Sequence, residues 1–306
     1  MFWKYSGEEG CILHQFILRE IPIKINGEAW YDIVTPYGYG GPIIEYVLPA
    51  YSREELILSF KKSFENYCFE NKIVSEFIRF HPIFKNADDF KSIYDVSFNR
   101  LTLGTNLIDF ENPVVSEFSK SCRKTIKSVI KSGVAYRVTK SPDSLDEFQR
   151  IYYLNMERKN ADEYYFFNKK YFSNILSTLR DNILLVEAVY NEKTIAAGLY
   201  FIYNNLIHAH LSGTDSDYLY LSPAYILKYG TVIWAKENGY RLIHYGGGVS
   251  SDKEDSLFKF KKKFSQNTEF PFYIGKKIWN KKIYDLLCKE NKADVDSGFF
   301  PSYRKR

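Results

Sequence analysis

The chain has 306 residues, 45% hydrophobic and 26% charged, with 42 basic against 37 acidic side chains and a net charge of +5. That balance excludes a disordered chain and falls short of the basic excess of a dedicated nucleic-acid binder. It still suits an anionic ligand such as a nucleotide diphosphate, a coenzyme or a tRNA acceptor end.

The opening M-F-W-K-Y-S-G-E-E-G has no apolar signal core, and no run approaches the ~18 apolar residues of a membrane span. A cytoplasmic protein is therefore expected. Cys11, Cys68, Cys122 and Cys288 are widely spaced with no C-x-x-C pair, so neither a zinc site nor a disulfide framework is indicated. The aromatic share of 18% is high and is assigned mainly to the core, with a Tyr-lined groove as the alternative.

In chain order, residues 11–19 read as a strand. Residues 31–42, Y-D-I-V-T-P-Y-G-Y-G-G-P, read as a rigid loop that either contacts ligand or is pinned by aromatic packing. Ser52 and Glu55 form a capping-box pattern for a helix running to about Asn66, and residues 73–80 and 93–103 follow as strands. The length calls for two domains, drawn at 1–112 and 113–306.

The second begins with a helix over 114–132. Phe118, Cys122, Ile126, Val129 and Ile130 share one face, and Lys120, Lys124, Lys127 and Lys131 share the other with Arg123 beside them. Gly133 closes it. Such a basic stripe is either a solvated face or a phosphate contact.

Helices over 143–158 and 169–179 precede strands at 183–190, 194–203 and 206–212, with turns at Asn191-Glu192-Lys193 and Asn204-Asn205: an antiparallel meander. Ser222-Pro223 reads as the Ncap and N1 pair of a helix to about Asn238, and Gly239 ends it. The strand 241–245 runs into Gly246-Gly247-Gly248 and then a lysine-rich helix. The three glycines are either a flexible turn or a place where ligand approaches the backbone.

The order of three antiparallel strands, a helix, a strand and a helix resembles the core of the GNAT (Gcn5-related N-acetyltransferase) superfamily. In that superfamily the amides at the head of the first such helix, here Ser222 to Tyr225, receive a pyrophosphate. The usual Q/R-x-x-G-x-G/A loop is absent. Several segments in order look like the FemAB-type branch: T-P-Y-G-Y-G-G-P at 35–42, R-F-H-P at 79–82, R-K-T-I-K-S-V-I-K-S-G at 123–133, M-E-R-K-N-A-D-E-Y-Y at 156–165, L-S-P-A-Y-I-L-K-Y at 221–229, and D-S-L-F-K-F-K-K-K-F at 255–264. The resemblance implies an α+β fold of two tandem GNAT-like domains with mixed, mainly antiparallel sheets flanked by helices.

It also implies substrate-binding positions at Tyr37, Gly38, Tyr39, Arg79, His81, Arg123, Arg158, Tyr164, Ser222, Tyr225 and Gly246 to Gly248. Arg158 would hold the diphosphate of a UDP-linked acceptor. Phe260 and Lys261 match the branch's Phe-Lys pair near the donor's reacting carbonyl, where a lysine stabilises the developing oxyanion.

The chain shows no Ser-His-Asp or Cys-His arrangement, so direct attack by the acceptor amine is expected, with His210, Asp255 or the substrate itself as proton acceptor. His208 and His210 alternate onto one strand face with His244 nearby, but without a carboxylate or cysteine partner no metal is assigned. The function implied is N-acyl transfer to an amine of an amino-sugar nucleotide, polysaccharide or other cell-envelope precursor. The rivals are aminoacyl-tRNA-dependent transfer of the peptidoglycan-bridge kind and a non-catalytic nucleotide-sugar or glycan-binding module. No tightly bound cofactor is implied; acyl-CoA or aminoacyl-tRNA would be a donor substrate. The long helical-hairpin insertion of some tRNA-dependent relatives is missing, which lowers the tRNA reading.

Overall fold

The computed structural model describes residues 1–305 except Lys253 and Val295; the side chain of Tyr164 also lies outside the described residues. The first part of the chain runs through β1 (Phe2–Gly7), β2 (Gly10–Gln15), β3 (Ile17–Glu20), β4 (Tyr31–Val34), β5 (Ile43–Val47), α1 (Arg53–Glu70), β6 (Ile73–Arg79), α2 (Asn86–Phe90) and β7 (Asp95–Asn106). Then come α3 (Pro113–Glu117), α4 (Lys120–Lys131), β8 (Ala135–Lys140), α5 (Asp146–Arg158) and α6 (Lys169–Leu179). The remainder is β9 (Ile183–Tyr190), β10 (Lys193–Tyr203), β11 (Leu206–Thr214), α7 (Ala224–Glu237), β12 (Leu242–Gly246), α8 (Ser256–Lys262), β13 (Glu269–Ile278) and α9 (Lys281–Glu290). The fold class is α+β, with mixed sheets flanked by helices.

Two compact units divide the chain: residues 1–100 with 271–306, and residues 101–270. This differs from a boundary at 113 with everything after it in one domain. Residues 271–306 return to the first unit because the end of β13 pairs antiparallel with β6, from Ile274 opposite Arg79 to Ile278 opposite Ser75. Neither β13 nor α9 was foreseen in the sequence.

In the first unit, β1, β2 and β5 form a small antiparallel sheet. β3, β4, β6 and β13 form the other, with β4 and β6 parallel. The strand expected over 11–19 is two strands, and the loop expected over 31–42 contains β4. Apolar Ile33 and buried Asp32 continue the pleat there, so only the Pro/Gly-rich part beyond Val34 is loop.

Helix α1 has both halves of the capping box: the Ser52 hydroxyl accepts from Glu55 N–H, and the Glu55 carboxylate accepts from Ser52 N–H. It runs past Asn66 to Glu70 because Phe60, Phe64 and Cys68 keep the buried stripe going. Phe60 and Phe64 stack at 5.5 Å, and each such burial contributes about 2–3 kcal/mol.

Glu76 is buried in this aromatic core. It hydrogen-bonds His14 Nε2 at 2.6 Å and accepts from the Tyr94 hydroxyl and the Trp279 indole N–H, each at 3.1 Å. Glu76→Ala strands two buried polar groups and the half-buried Trp279 N–H, so it should cost about 3 kcal/mol or more in urea unfolding. A loss below about 1 kcal/mol would show that the network is dispensable.

In the second unit the strand order is β7-β12-β11-β10-β9-β8. β9, β10 and β11 form the expected meander. Both turns are built on positive φ, at Asn191 and Glu192 and at Asn204 and Asn205, the left-handed pair that suits a two-residue hairpin. β9 is buried on both faces. Leu184, Val186 and Ala188 join the core beneath α4 and α7, while Ile183 and Leu185 join the core beneath α5 and α6.

The helix expected over 114–132 is two. Phe118 is extended (φ −93°, ψ 131°), and Ser119 caps α4 by accepting from Cys122 N–H. Glu117 fixes this break: its buried carboxylate accepts from the N–H groups of Asn106 at 3.2 Å and Asn267 at 2.9 Å, and from the Thr268 hydroxyl. β8 follows α4 and was not expected from the sequence.

β11 and β12 run parallel and pair over only three residues, ending with His208 opposite His244; β11 then continues to Thr214 while β12 turns off at Gly246. The sheet opens there, beside the head of α7. Among the described residues no helix is long and apolar enough to cross a membrane, and the four cysteines are free and buried.

Candidate active site

The opening beside β12 gathers part of the expected site. Of the three glycines, only Gly246 has left-handed backbone, at φ +72°. Gly248 is confined by space instead: a Cβ there would lie 2.5 Å from Asp255 Oδ1 and 3.1 Å from Phe258 Cβ. Gly247 turns its carbonyl to the Lys261 ammonium, which donates to it at 2.6 Å. The protein packed around that ammonium lowers the Lys261 pKa to about 8, with Asp255 pulling the other way.

Asp255 caps α8. Its Oδ1 accepts from Phe258 N–H at 2.8 Å, and its Oδ2 accepts from Val249 N–H at 3.0 Å and Ser250 N–H at 3.1 Å. Those amides, Phe258 first, hold the carboxyl below its ordinary range. The geometry is that of a loop clamp and not of a free base. It sets the register of α8 and so aims Phe260 and Lys261. Phe260 meets Tyr225 edge-on at 5.4 Å, and the Tyr225 hydroxyl accepts from Lys263 Nζ at 2.8 Å.

Lys228 of α7 completes the group. It is only 8% exposed. Its ammonium stands over the rings of Tyr245 at 4.4 Å and Tyr200 at 5.3 Å. Burial first, and repulsion from Lys261 second, lower its pKa to about 7. The Tyr245 hydroxyl hydrogen-bonds Thr105 Oγ1 at 2.7 Å, which fixes the ring beneath the lysine. Its motif, L-S-P-A-Y-I-L-K-Y, carries no role for the lysine by resemblance. A signal was present: Lys228, Thr231, Val232 and Ala235 share a helix face that is otherwise small or apolar, and all four are buried.

The other expected residues lie elsewhere. Ser222 is not a side-chain cap; it takes φ +53°, and α7 starts after Pro223 without a side-chain hydrogen bond. Arg123 donates to the carbonyls of Val115 at 2.8 Å and Phe118, so it closes the end of α3. Arg158 is exposed and donates to Asn155 Oδ1 at 3.0 Å. His210 shares a 2.6 Å hydrogen bond with the Tyr171 hydroxyl beside Phe201, and burial lowers its pKa to about 4. His208 and His244 meet Nδ1 to Nδ1 at 3.2 Å, and among the described residues no cluster of three or more His, Cys, Asp or Glu could hold a metal.

In the first unit, Tyr39 is packed against Phe272 at 5.0 Å and near His81 at 6.0 Å, and burial pushes its hydroxyl up to about 12. His81 stacks on Phe84 at 4.2 Å and lines a small cavity with Lys85, Asp88 and Tyr273; burial lowers its pKa to about 4. The Arg79 guanidinium lies over the Phe77 ring at 5.3 Å, Tyr37 is exposed, and Gly38 takes φ +104°.

An acetyltransferase (GNAT) domain family matches residues 116–260, the stretch that holds the meander, the sheet opening, α7, Gly247 and Lys228. Among solved structures the chain is similar to FemX, at 14% identity, with 93% of this chain and 90% of that chain covered and a TM-score of 0.68. This is a FemAB-like GNAT fold.

It is also similar to the C-terminal domain of a protein assigned as a lysylphosphatidylglycerol synthetase from Agrobacterium fabrum, at 15% identity, with 92% and 85% covered and a TM-score of 0.60. A tandem GNAT protein from the clavulanic acid biosynthesis pathway follows at 9% identity, 90% and 82% coverage and a TM-score of 0.50. No curated protein sequence gives a significant match. Residues 116–260 thus form a domain of the GNAT acyltransferase kind, and Lys261 stands immediately after the matched stretch, on its last helix.

Proposed function

We propose that this protein transfers an acyl group from an activated ester or thioester to an amine of a cell-envelope precursor, an amino-sugar nucleotide or a UDP-linked peptide being the substrate class. The observation that carries the reading is the half-buried Lys261 ammonium, held by the Gly247 carbonyl where the sheet of the GNAT domain opens. A cation in that position can stabilise the oxyanion formed when an amine attacks a carbonyl, in surroundings where charge is poorly screened. Phe260 and Tyr225 supply an apolar wall against the acyl group. Resemblance to FemX and to the synthetase domain supports an envelope substrate.

An aminoacyl-tRNA donor is the second reading. Lys120, Lys124, Lys127 and Lys131 are exposed along α4, a stripe that suits a polyanion, and the loop before α7 lacks the glycine pattern of a coenzyme A pyrophosphate site. The test is to incubate the protein with acetyl-CoA or alanyl-tRNA, and with a UDP-linked amino sugar or a UDP-linked muramyl peptide, and to seek acylated amine by mass spectrometry. Product from alanyl-tRNA alone selects the second reading. Binding of the UDP compounds with no product from either donor would overturn acyl transfer in favour of a binding module.

A further inference from the structure

The GNAT site holds an amine that the fold does not need. Lys228 is more than nine-tenths buried, yet among the described residues its ammonium makes no hydrogen bond or ion pair, only the two ring contacts. A buried lysine that served packing alone would be paired with a carboxylate or replaced by an apolar side chain. The acids that act on its neighbours Tyr245 and Lys261 are already spent. Asp255 is tied to three backbone amides, and Glu117 to Asn106, Asn267 and Thr268.

The groups facing Lys228 are Lys261 from α8, whose charge repels it, and the phenols of Tyr200 from β10 and Tyr245 from β12. None of these can neutralise an ammonium near pH 7. Two lysines therefore lie near enough to repel each other, in unequal surroundings. Lys261 has a carbonyl acceptor and the pull of Asp255; Lys228 has neither. Such a pair divides into a member that keeps its proton and a member that gives it up.

We propose that Lys228 is the proton acceptor for the attacking amine, with Lys261 remaining the cation that faces the carbonyl oxygen; this rests on the acyl-transfer reading above. An acceptor arriving as an ammonium gives one proton to the neutral Lys228 Nζ. The freed lone pair forms the C–N bond, and the carbonyl electron pair moves onto oxygen opposite Lys261. Collapse breaks the bond to the donor's oxygen or sulfur, and that leaving group takes the second proton from the new nitrogen. Lys228 then returns its proton to solvent. The assignment also removes the need for His210, which is engaged with Tyr171, or for Asp255.

Competitive labelling of the folded protein with acetic anhydride from pH 5 to 10, read by peptide mass spectrometry, tests the first half without any substrate. Lys228 should label with a midpoint near 7, and the midpoint should rise in Lys261→Met as the repelling charge is removed. The second half uses the donors and acceptors named above. Wild-type kcat/KM should fall about tenfold per pH unit below that midpoint. Lys228→Arg keeps a cation but accepts no proton, so it should lose about 10²-fold or more and the limb with it. Lys228→Met, with its fold verified by circular dichroism, should lose as much. A labelling midpoint among ordinary lysines, or an active wild type with an equally active Lys228→Arg, overturns this assignment alone. A wild type that transfers nothing overturns the acyl-transfer reading and this one with it.

Discussion

Lys261→Ala is expected to lower acyl transfer by about 10²–10³-fold while leaving the melting temperature within a few degrees of wild type. The loss is large because the ammonium is held in place before reaction: it is bonded to the Gly247 carbonyl at 2.6 Å and needs little reorganisation when charge develops on the substrate. Stability should change little, since one exchangeable hydrogen bond is lost and a half-buried charge disappears with it. The measurement is steady-state kinetics with the donor and acceptor found by the screen, beside a thermal melt. A variant with wild-type kcat/KM would remove Lys261 from the mechanism. A variant that fails to fold would mean that its bond to Gly247 is structural, and Lys261→Met would then separate the charge from the packing.

Lys228→Met should behave in the opposite way toward stability. It is expected to raise the unfolding free energy at pH 7 and below by on the order of 3 kcal/mol. The folded-state pKa of Lys228 lies near 7, against 10.5 for an ordinary lysine. Between those values the unfolded chain binds more protons than the native one, so native stability rises with pH across that window. Below about 7 both states are protonated and the native state carries the whole cost of the buried charge; above about 10.5 neither does. The advantage of Lys228→Met should therefore be full at pH 6, reduced at pH 8 to 9 and nearly gone by pH 10.5. Urea unfolding of both proteins at these pH values reads it directly. A variant less stable than wild type at pH 6 would show that the ring contacts with Tyr200 and Tyr245 outweigh desolvation. Gain in stability with loss of transfer is the trade expected where a site keeps a group that its fold disfavours.

Much of the GNAT domain was legible in the chain because its signals are local. The turn pairs at Asn191-Glu192 and Asn204-Asn205 require left-handed backbone, and the apolar strands between them have no helical period. The capping box at Ser52 and Glu55 likewise needs only four residues to be recognised. Helix 114–132 misled because its apolar spacing is continuous through Phe118, whereas the break there is enforced by Glu117 reaching Asn267 and Thr268, about 150 positions away. Ser222-Pro223 misled for a related reason: the pair is a common helix start, but the preceding turn places Ser222 at φ +53°.

The sequence alone determined the meander, the strand and helix order that follows it from 206 to 262, and the position of Gly246 to Gly248 and Lys261, since propensity, turn chemistry and motif spacing act over a few residues. Only the tertiary structure decided that 271–306 returns to the first unit, that Asp255 is a clamp, and that Lys228 lies buried without a partner beside Lys261. Those outcomes depend on strand pairing and on which charges meet in a poorly solvated place, and neither quantity exists until distant segments have packed.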